Sequence, residues 1–413
     1  MFGAATGVFL ALLLIVSLLS RLTPLFILTL ALFLAAALAR LWNRYCLTGL
    51  EYRRHFSRAR VEFGDTVDLD IEIVNRKLLP LAWVEIDDEF PRQLAPERTD
   101  VARSFKPERV IVHRLVALRP FERVRRRYHL HCNFRGEYEF GPVLIRTGDL
   151  FGLVTREIVI EGIDRIVVFP RVVPLGALGL PAHQPLGNLK SRSWIFEDPS
   201  RIAGVREHRP GDSLRRVSWA ASARSQRLQV RVFEPTTVHD LTVFLNLRTS
   251  SAEWWGHRYD PDALELAIVT AASVISWALA KGFRVGLATN GLHRMRSNAV
   301  ALDPTTDLTH RIAFLDALGR LQPLAARAFA STLATSSRRL AYGATVVAIA
   351  AQVSDADAVQ LIGMRRRGHP VAVLLTGRTD SWTLPHGITV RTIGPPEAWA
   401  TLEQLADART GHG

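Results

Sequence analysis

The sequence predicts a multi-domain chain. It has an N-terminal transmembrane helical hairpin, an all-β sandwich-like domain and a C-terminal α/β domain built as a doubly wound parallel sheet. Three observations carry this reading. Two uncharged apolar runs stand back to back at the N-terminus. The middle of the chain alternates apolar and polar residues with period two, broken by frequent turn signals. The remainder alternates short apolar strands with helical patterns, which implies a parallel sheet covered on both faces. At 413 residues the chain is long enough for two or three domains with sizeable cores. Its 48% hydrophobic and 22% charged content describes a folded chain and excludes a disordered one.

The balance of charge is basic, +13 with a pI near 10.6. Such a balance fits nucleic acid, anionic lipid or an acidic protein as partner, or a composition that favours arginine over lysine. Two cysteines, Cys46 and Cys132, are too few for a disulfide framework or a structural zinc site. Both read as ordinary reduced residues.

Residues 2–20 and 22–39 carry no charge, and each run approaches the roughly 20 residues a spanning helix needs. Only Arg21 separates them, and Pro24 follows at once, so residues 1–45 read as two transmembrane helices joined by a very short connection. The rival, a signal peptide, lacks a positive leading region and is followed directly by a second apolar run. Arg40, Arg44, Arg53, Arg54, Arg58 and Arg60 follow the second run, against Arg21 alone in the hairpin loop. The positive-inside rule then makes the chain a multi-pass protein of the cell membrane with its soluble domains in the cytoplasm. Trp42 and Tyr45 fit an interfacial aromatic belt, and the basic run would meet anionic headgroups.

Residues 52–170 form the β domain. Val67, Leu69, Ile71 and Ile73 alternate with Thr66, Asp68, Asp70 and Glu72, as in a half-buried strand. Strands are also expected around Val84 and Ile86, over 109–116 and over 124–132. Gly136, Gly141, Pro142, Gly148 and Gly152 punctuate the rest, as in a small sandwich. No cluster of ionisable residues here has catalytic spacing, so a spacer or protein-contact role is expected. Residues 171–200, with Pro174, Pro181, Pro185 and Pro199, read as an irregular linker.

Residues 201–239 are dense in arginine. Arg206, Arg209, Arg215, Arg216, Arg224, Arg227 and Arg231 stand against Glu207, Asp212 and Glu234. Pro210-Gly211 reads as a tight turn and 228–233 as a strand. In the α/β domain, 240–413, strands are expected at 241–247, 283–288, 345–350, 371–375 and 388–393. Helices are expected at 261–281, 308–318, 325–340, 355–367 and 397–406. Ligands of such sheets bind beyond the carboxyl ends of the strands, so the loop 246–255 is the place to look. No Gly-rich phosphate loop, zinc-spaced set or Gly-x-Ser-x-Gly elbow is present. His55, His131, His208, His257 and His369 show no metal-ligand spacing.

Arg206, then Arg209-Pro210-Gly211-Asp212, then Arg215 to Trp219, Ser222-Ala223-Arg224 and Leu228 to Glu234 resemble the signature of the domain-of-unknown-function-58 family. So do Arg135-Gly136-Glu137-Tyr138, Gly141-Pro142 and Gly148 to Leu153 in the β domain, and the paired N-terminal apolar helices. His208 stands where the family usually has an aromatic residue. The resemblance implies that the α/β domain is von Willebrand factor A-like. It implies a membrane-anchored protein that works beside a MoxR-type AAA+ ATPase in assembly, maturation or envelope processes, by binding and not by catalysis. Many von Willebrand A domains hold magnesium at an Asp-x-Ser-x-Ser loop after the first strand. The matching loop here is Asn246-Leu247-Arg248-Thr249-Ser250, with asparagine for the aspartate and a cation for the first serine. A second acid would be expected after Ala350, where Gln352 stands, and Asp355 comes later. No bound metal and no cofactor are therefore expected; the alternative is a weakened site of Ser250, Ser251 and Asp355.

Two readings of the arginine stretch stand side by side. In one, Arg206, Arg209, Asp212, Arg215, Arg216, Trp219 and Arg224 form a site for an anion or an acidic partner. In the other, the arginines pair with Glu207, Asp212 and Glu234 and stack on Trp219; a guanidinium fork suits both. The expected function is a membrane-anchored, non-enzymatic interaction or adaptor protein. The alternatives are an anionic-ligand or nucleic-acid binder, and a hydrolase for which Ser250 and His257 are the only candidates.

Overall fold

The N-terminal apolar runs fold as two helices, α1 (Ala4–Leu19) and α2 (Thr23–Tyr45). The structure is a computed structural model. It describes residues 4–19, 23–96, 101–148, 155–181, 186, 195–209, 217–237, 239–249, 260–293, 296–377 and 388–394. The chain divides into two units, Met1–Phe169 and Pro170–Gly413.

In the first unit the Ser17 and Thr29 hydroxyls lie 3.1 Å apart and join the two helices. With one proton each, one hydroxyl donates across the helices and the other to a carbonyl of its own helix, Leu14 for Ser17 or Leu25 for Thr29. Among the described residues of the two helices no buried hydroxyl is left unpaired, as an apolar setting requires. Phe9, Leu12, Ile15, Leu19, Ile27, Leu28, Leu34 and Leu38 are all more than half exposed. Residues Thr23–Trp42 of α2 are long and apolar enough to cross a membrane.

Eleven strands follow: β1 (Leu50–Phe56), β2 (Arg60–Val61), β3 (Thr66–Asn75), β4 (Leu81–Pro91), β5 (Val101–Arg103), β6 (Arg109–Leu118), β7 (Arg123–His131), β8 (Gly136–Phe140), β9 (Val143–Gly148), β10 (Thr155–Ile160) and β11 (Asp164–Val168). They form three sheets, ordered β1-β3-β7, β10-β9-β4-β6-β5 and β2-β11-β8. The first two are antiparallel throughout. The period-two pattern of β3 turns Val67, Leu69 and Ile71 inward against Phe90, Val112, Phe140, Ile166 and Val168. The Phe140 ring packs 4.8 Å from that of Phe56 and 5.1 Å from that of Phe90. A second cluster of Ile73, Leu81, Val84, Ile86, Leu118, Val143 and Ile145 takes in Cys46, with Trp42 and Leu47 packed against it. The end of α2 is thus seated in the sandwich, and the Trp42 indole donates to the Gly148 carbonyl at 3.1 Å.

A buried ion pair joins the three sheets. Arg54 on β1 is 3% exposed and Asp88 on β4 is fully buried. The guanidinium donates to both oxygens of Asp88, at 3.0 and 2.8 Å. It also donates to Asp164 at the start of β11 (2.7 Å) and to the carbonyls of Phe140 and Gly162 (both 3.3 Å). The Tyr52 hydroxyl donates to Asp88 as well. Burial, together with the Asp88 charge, pushes the Tyr52 hydroxyl well above its ordinary pKa. Burial alone would lower the Arg54 pKa; the bond and charge from Asp88 more than offset this and hold it raised.

The sequence places Arg53, Arg54, Arg58 and Arg60 in the positive flank of the second apolar run, and in the fold Arg53, Arg54 and Arg58 have partners within the first unit. Arg54 faces the core, Arg53 pairs with Glu51 at 3.0 Å and Arg58 with Asp65 at 3.1 Å. On the outer face of β3 and β7, Asp68 pairs with His129, Asp70 with Arg125 and Arg127, and Glu72 with Arg123. Hydrogen bonds from Arg127 and Arg125 hold the Asp70 carboxyl well below the usual range.

The second unit opens on a two-stranded arm, β12 (Ile195–Glu207) and β13 (Gln229–Thr237), with α3 (Trp219–Ser225) between them. β12 starts inside the stretch expected to be irregular. Then come β14 (Asp240–Leu245), α4 (Pro261–Ala280), β15 (Arg284–His293), β16 (Arg296–Thr305), α5 (Arg311–Gly319), β17 (Leu321–Ala325), α6 (Phe329–Ser337), β18 (Thr345–Ala350), α7 (Asp355–Arg366), β19 (Val371–Leu375) and β20 (Thr389–Thr392). The order is β16-β15-β14-β18-β19-β20, with β17 also on β15.

From β15 to β20 the pairing is parallel, but β16 and β17 run antiparallel to β15. The sheet is therefore mixed, a correction of the wholly parallel one expected. Both unexpected strands carry a proline, Pro304 and Pro323, which an edge tolerates because the missing N–H breaks no ladder bond. β17 takes Ala325, the first residue assigned to a helix over 325–340, and α6 itself runs from Phe329 to Ser337. The helix expected at 397–406 lies outside the described residues.

α4 passes the length and apolarity test for a membrane span, yet it is mostly buried and contacts β14, β15 and β18 as a core helix. Asp260 caps it, accepting from the Ala263 N–H at 3.0 Å, with Pro261 at the first position. Phe329, Leu333, Leu361 and Met364 of α6 and α7 pack on Phe244, Val346, Ala348 and Val373 of the sheet.

Removing one partner of the buried pair leaves an uncompensated charge in the core. Arg54→Ala is expected to destabilise the chain by about 3–5 kcal/mol in urea unfolding of its sandwich signal. Asp70 sets a pH dependence. Its depressed pKa contributes stability above the ordinary carboxylate range, and that stability is lost as pH falls below about 4. Asp70→Asn should lower the Tm at pH 7 and flatten its fall in acid.

Candidate functional site

The carboxyl end of β14 is where an α/β sheet of this kind places a ligand. The structure fills that place with amides. Asn246 and Asn290 are 3% and 1% exposed, and the Asn290 amide donates to Asn246 Oδ1 at 2.8 Å. The same oxygen accepts from the Arg248 N–H at 3.0 Å, so both of its lone pairs are used. Asn290 Oδ1 accepts from the Leu247 N–H at 2.9 Å, and the Asn246 amide donates to the Gln352 carbonyl at 3.4 Å. A cation there would have to displace two N–H donors. Arg248 is exposed. Asp355 is exposed in the first turn of α7, where Ser354 and Asp357 form the capping box. Ser250, Ser251 and His257, the other residues proposed for this loop, lie outside the described residues.

Asn290 escaped the sequence reading. Its signal is a polar Thr289-Asn290 pair directly after the apolar run from Val285 to Ala288, inside β15, with both residues buried.

The described part of the arginine stretch, residues 201–209 and 217–237, belongs to the β12–β13 arm and includes its tip. Its strands pair only with each other among the described residues. The pairing runs Val205↔Arg231, Arg206↔Val230 and Glu207↔Gln229. Val217 bridges to Val230, and both are buried. The Ser222 hydroxyl donates to the Ser218 carbonyl and accepts from the Gln229 N–H, both at 2.8 Å, which fixes α3 on β13.

The polar surface of the tip is basic. Arg206, Arg209, Arg224, Arg227 and Arg231 are exposed. Glu207 takes a long contact from Arg227, 3.4 Å, and its carbonyl accepts from Arg206. Trp219 is 70% exposed at the start of α3, with Val205 and Leu228 also exposed. Asp212, Arg215 and Arg216 lie outside the described residues.

A third group was not anticipated. On β4 and β6, Glu85, Asp87 and His113 bring one ligand atom each within 4.8 Å of one another. The signal was an alternating acidic strand, Glu85, Asp87 and Glu89, opposite a histidine. Asp87 lies 2.7 Å from His113, while Arg146 lies 3.3 Å from Glu85 and 3.2 Å from Asp87. A guanidinium already bridges both carboxylates, so a divalent ion would have to displace it.

These features define a class: a strand-rich, multi-domain chain whose mixed α/β sheet is entered through a basic two-stranded arm. Residues 204–399 match the model of the family described as "Protein of unknown function DUF58", as the motif from Arg206 to Glu234 led one to expect. The chain is 26% identical over 248 residues to "Uncharacterized protein YeaD" of Bacillus subtilis (strain 168), covering 60% of this chain. It spans 57% of that relative's length. Among solved structures, the CARDB domain of a Pyrococcus furiosus protein is 9% identical and covers 29% of this chain and 91% of its own, with a TM-score of 0.21. A cohesin module of a Clostridium perfringens family 33 glycoside hydrolase is 10% identical and covers 28% and 96%, also at 0.21. Likenesses this slight carry no argument about fold or function.

Asn290→Ala should cost roughly 1–3 kcal/mol for the Leu247 N–H left unpaired, while Asn246 Oδ1 keeps its bond from the Arg248 N–H, measured by thermal unfolding. Asn246→Asp should not create a magnesium site. Its Tm is expected to be the same with and without millimolar magnesium, because one carboxylate oxygen would still accept two N–H bonds and the other, beside the Gln352 carbonyl, falls short of the octahedral ligand set magnesium demands.

Proposed function

We propose that the chain is a membrane-anchored, non-enzymatic interaction protein with a degenerate von Willebrand factor A-like domain, and that it acts through the tip of its arginine-rich arm. The observation that carries this reading is the composition of that tip. An exposed tryptophan among exposed arginines is the pairing that dominates protein–protein hot spots. The amide-filled strand end supports a binding role over a metal-dependent or hydrolytic one. The apolar span Thr23–Trp42 supports anchoring, with the soluble units in the cytoplasm. The family resemblance points to a MoxR-type AAA+ ATPase as the partner.

The test is a pull-down of the full-length chain from detergent extract, with and without ATP and magnesium, beside a Trp219→Ala/Arg224→Ala variant. The reading expects an ATPase retained by the parent and lost by the variant, with the Tm unchanged because both residues are exposed. Retention of no ATPase by the parent would count against the adaptor.

The same basic surface favours a second reading, an anionic-ligand or nucleic-acid binder. That reading predicts binding of oligonucleotides that weakens steeply with salt.

A further inference from the structure

Two loops of the first unit meet the end of α2 through a chain of hydrogen bonds. The Lys77 ammonium donates to the carbonyls of Cys46 and of Thr48, the latter at 2.7 Å, and so closes the carboxyl end of the helix. The Arg76 N–H donates to the Gly49 carbonyl at 2.8 Å. The Phe121 N–H donates to the Lys77 carbonyl at 3.2 Å, and the Asn75 N–H to the Glu122 carbonyl at 2.9 Å. The Asn75 amide donates to the carbonyls of Leu79 and Arg119, both at 2.9 Å. The β3–β4 and β6–β7 loops are thus bound to each other and to the point where the helix enters the sandwich.

Each loop ends in an apolar side chain turned to solvent. Leu78 is 75% exposed and Phe121 is 67% exposed. Phe121 holds φ at +55°, in a turn closed by the Glu122 N–H donating to the Arg119 carbonyl. A bulky residue is an outlier in that region, where glycine or asparagine is usual. The backbone strain is borne to present a ring that buries little of itself. Arg76 pairs with Glu51 at 2.6 Å and Arg123 with Glu72 at 2.9 Å, and the Lys77 ammonium is held on the helix end. Arg44 in the last turn of α2 and Arg119 on the β6–β7 loop are exposed. Exposed apolar tips and exposed arginines, on loops bound to the end of a membrane-length helix, have the composition of a bilayer-surface contact.

We infer that the β3–β4 and β6–β7 loops dock the sandwich on the bilayer. Leu78 and Phe121 enter the interface, and Arg44 and Arg119 meet acidic headgroups. This rests on α2 being a membrane span. The sandwich is then not a bead on a loose tether. It is held at the surface at three points: the helix and two loop tips.

The test uses the full chain in phosphatidylcholine vesicles containing phosphatidylglycerol. Single cysteines are introduced as Leu78→Cys, Phe121→Cys, Leu34→Cys and Phe105→Cys and labelled with an environment-sensitive fluorophore. The native Cys46 and Cys132 are fully buried and do not compete for the label. Phe105 is an exposed apolar control on the β5–β6 connection, at the other end of β6. Labels at 78 and 121 should emit blue-shifted from the label at 105 and be quenched several-fold more by lipids carrying a nitroxide near the headgroup. The label at 34 should be quenched by nitroxides deep in the chains. If 34 lies in lipid while 78 and 121 behave like 105, the docking proposal is overturned and the span stands. If 34 lies in water, the span reading falls and the docking with it.

Discussion

A charged pair in a dry core constrains everything around it. Arg54 and Asp88 cost several kcal/mol each to desolvate, and only near-complete hydrogen bonding offsets that cost. The Arg54 guanidinium therefore needs partners on every side. It finds them on β4, at the end of β8 and around the start of β11, in sheets that share no backbone ladder with β1. The approach is close enough to dictate a glycine. At Gly141 a Cβ would lie 2.5 Å from the Gly162 carbonyl oxygen and 2.7 Å from Arg54 Nη2, and φ there is +97°. Not every cation of the sandwich is so well served. Arg114 is buried over the Tyr128 ring, 4.4 Å from its centroid, and makes no hydrogen bond among the described residues. A ring face offers a desolvated guanidinium partial compensation.

The α/β unit solves the same problem with neutral groups. Its parallel strands are apolar on both faces, as burial under helices on each side requires. The polar exceptions are gathered at the strand ends, where Asn246 and Asn290 satisfy each other and the turning backbone. An amide pair does there what a metal and its carboxylates do in a site built for ligation. It neutralises the exposed ends of the backbone ladder, and it does so without an open coordination position. The difference follows from one atom at Asn246: an amide carries a donor where a carboxylate carries a second acceptor, and that donor reaches the Gln352 carbonyl.

The excess of positive charge, +13 over the chain, is not spread evenly. On the sandwich the arginines of β7 face the acids of β3 across the strands, and Arg146 faces Glu85 and Asp87. Those charges are spent locally and leave little field beyond a Debye length. At the arm tip the described arginines outnumber the acids, and the surface stays basic. A basic surface concentrates acidic partners and raises their encounter rate more than it raises affinity. Affinity would come from Trp219, a large side chain left in water by its own fold.

Much of this architecture is legible in the residues. Continuous apolar runs at 345–350 and 371–375 are buried strands with the expected bounds, because a strand covered on both faces has no polar register to blur it. The uncharged N-terminal runs are helices, and Asp260-Pro261 starts α4, because capping and a fixed proline φ act over three residues. The motif from Arg206 to Glu234 anticipated the family model that residues 204–399 match, since it is a long local pattern. What the sequence left open depends on contacts between distant residues. The edge strands β16 and β17 contain prolines that argue against a strand until an edge position removes the objection. Arg54 looks like one more charge beside a membrane helix, and only the approach of Asp88 and Asp164 from other sheets turns it inward. Asn290 is a polar residue at a strand end until it meets Asn246, 44 positions away. Leu78 and Phe121 are two loop residues until the hydrogen bonds of Asn75 and Lys77 bring them beside α2. Periodicity, capping and local motifs act within a few residues, so the sequence alone determined them. Desolvation, charge pairing and shared surfaces act across space, so only the tertiary structure decided them.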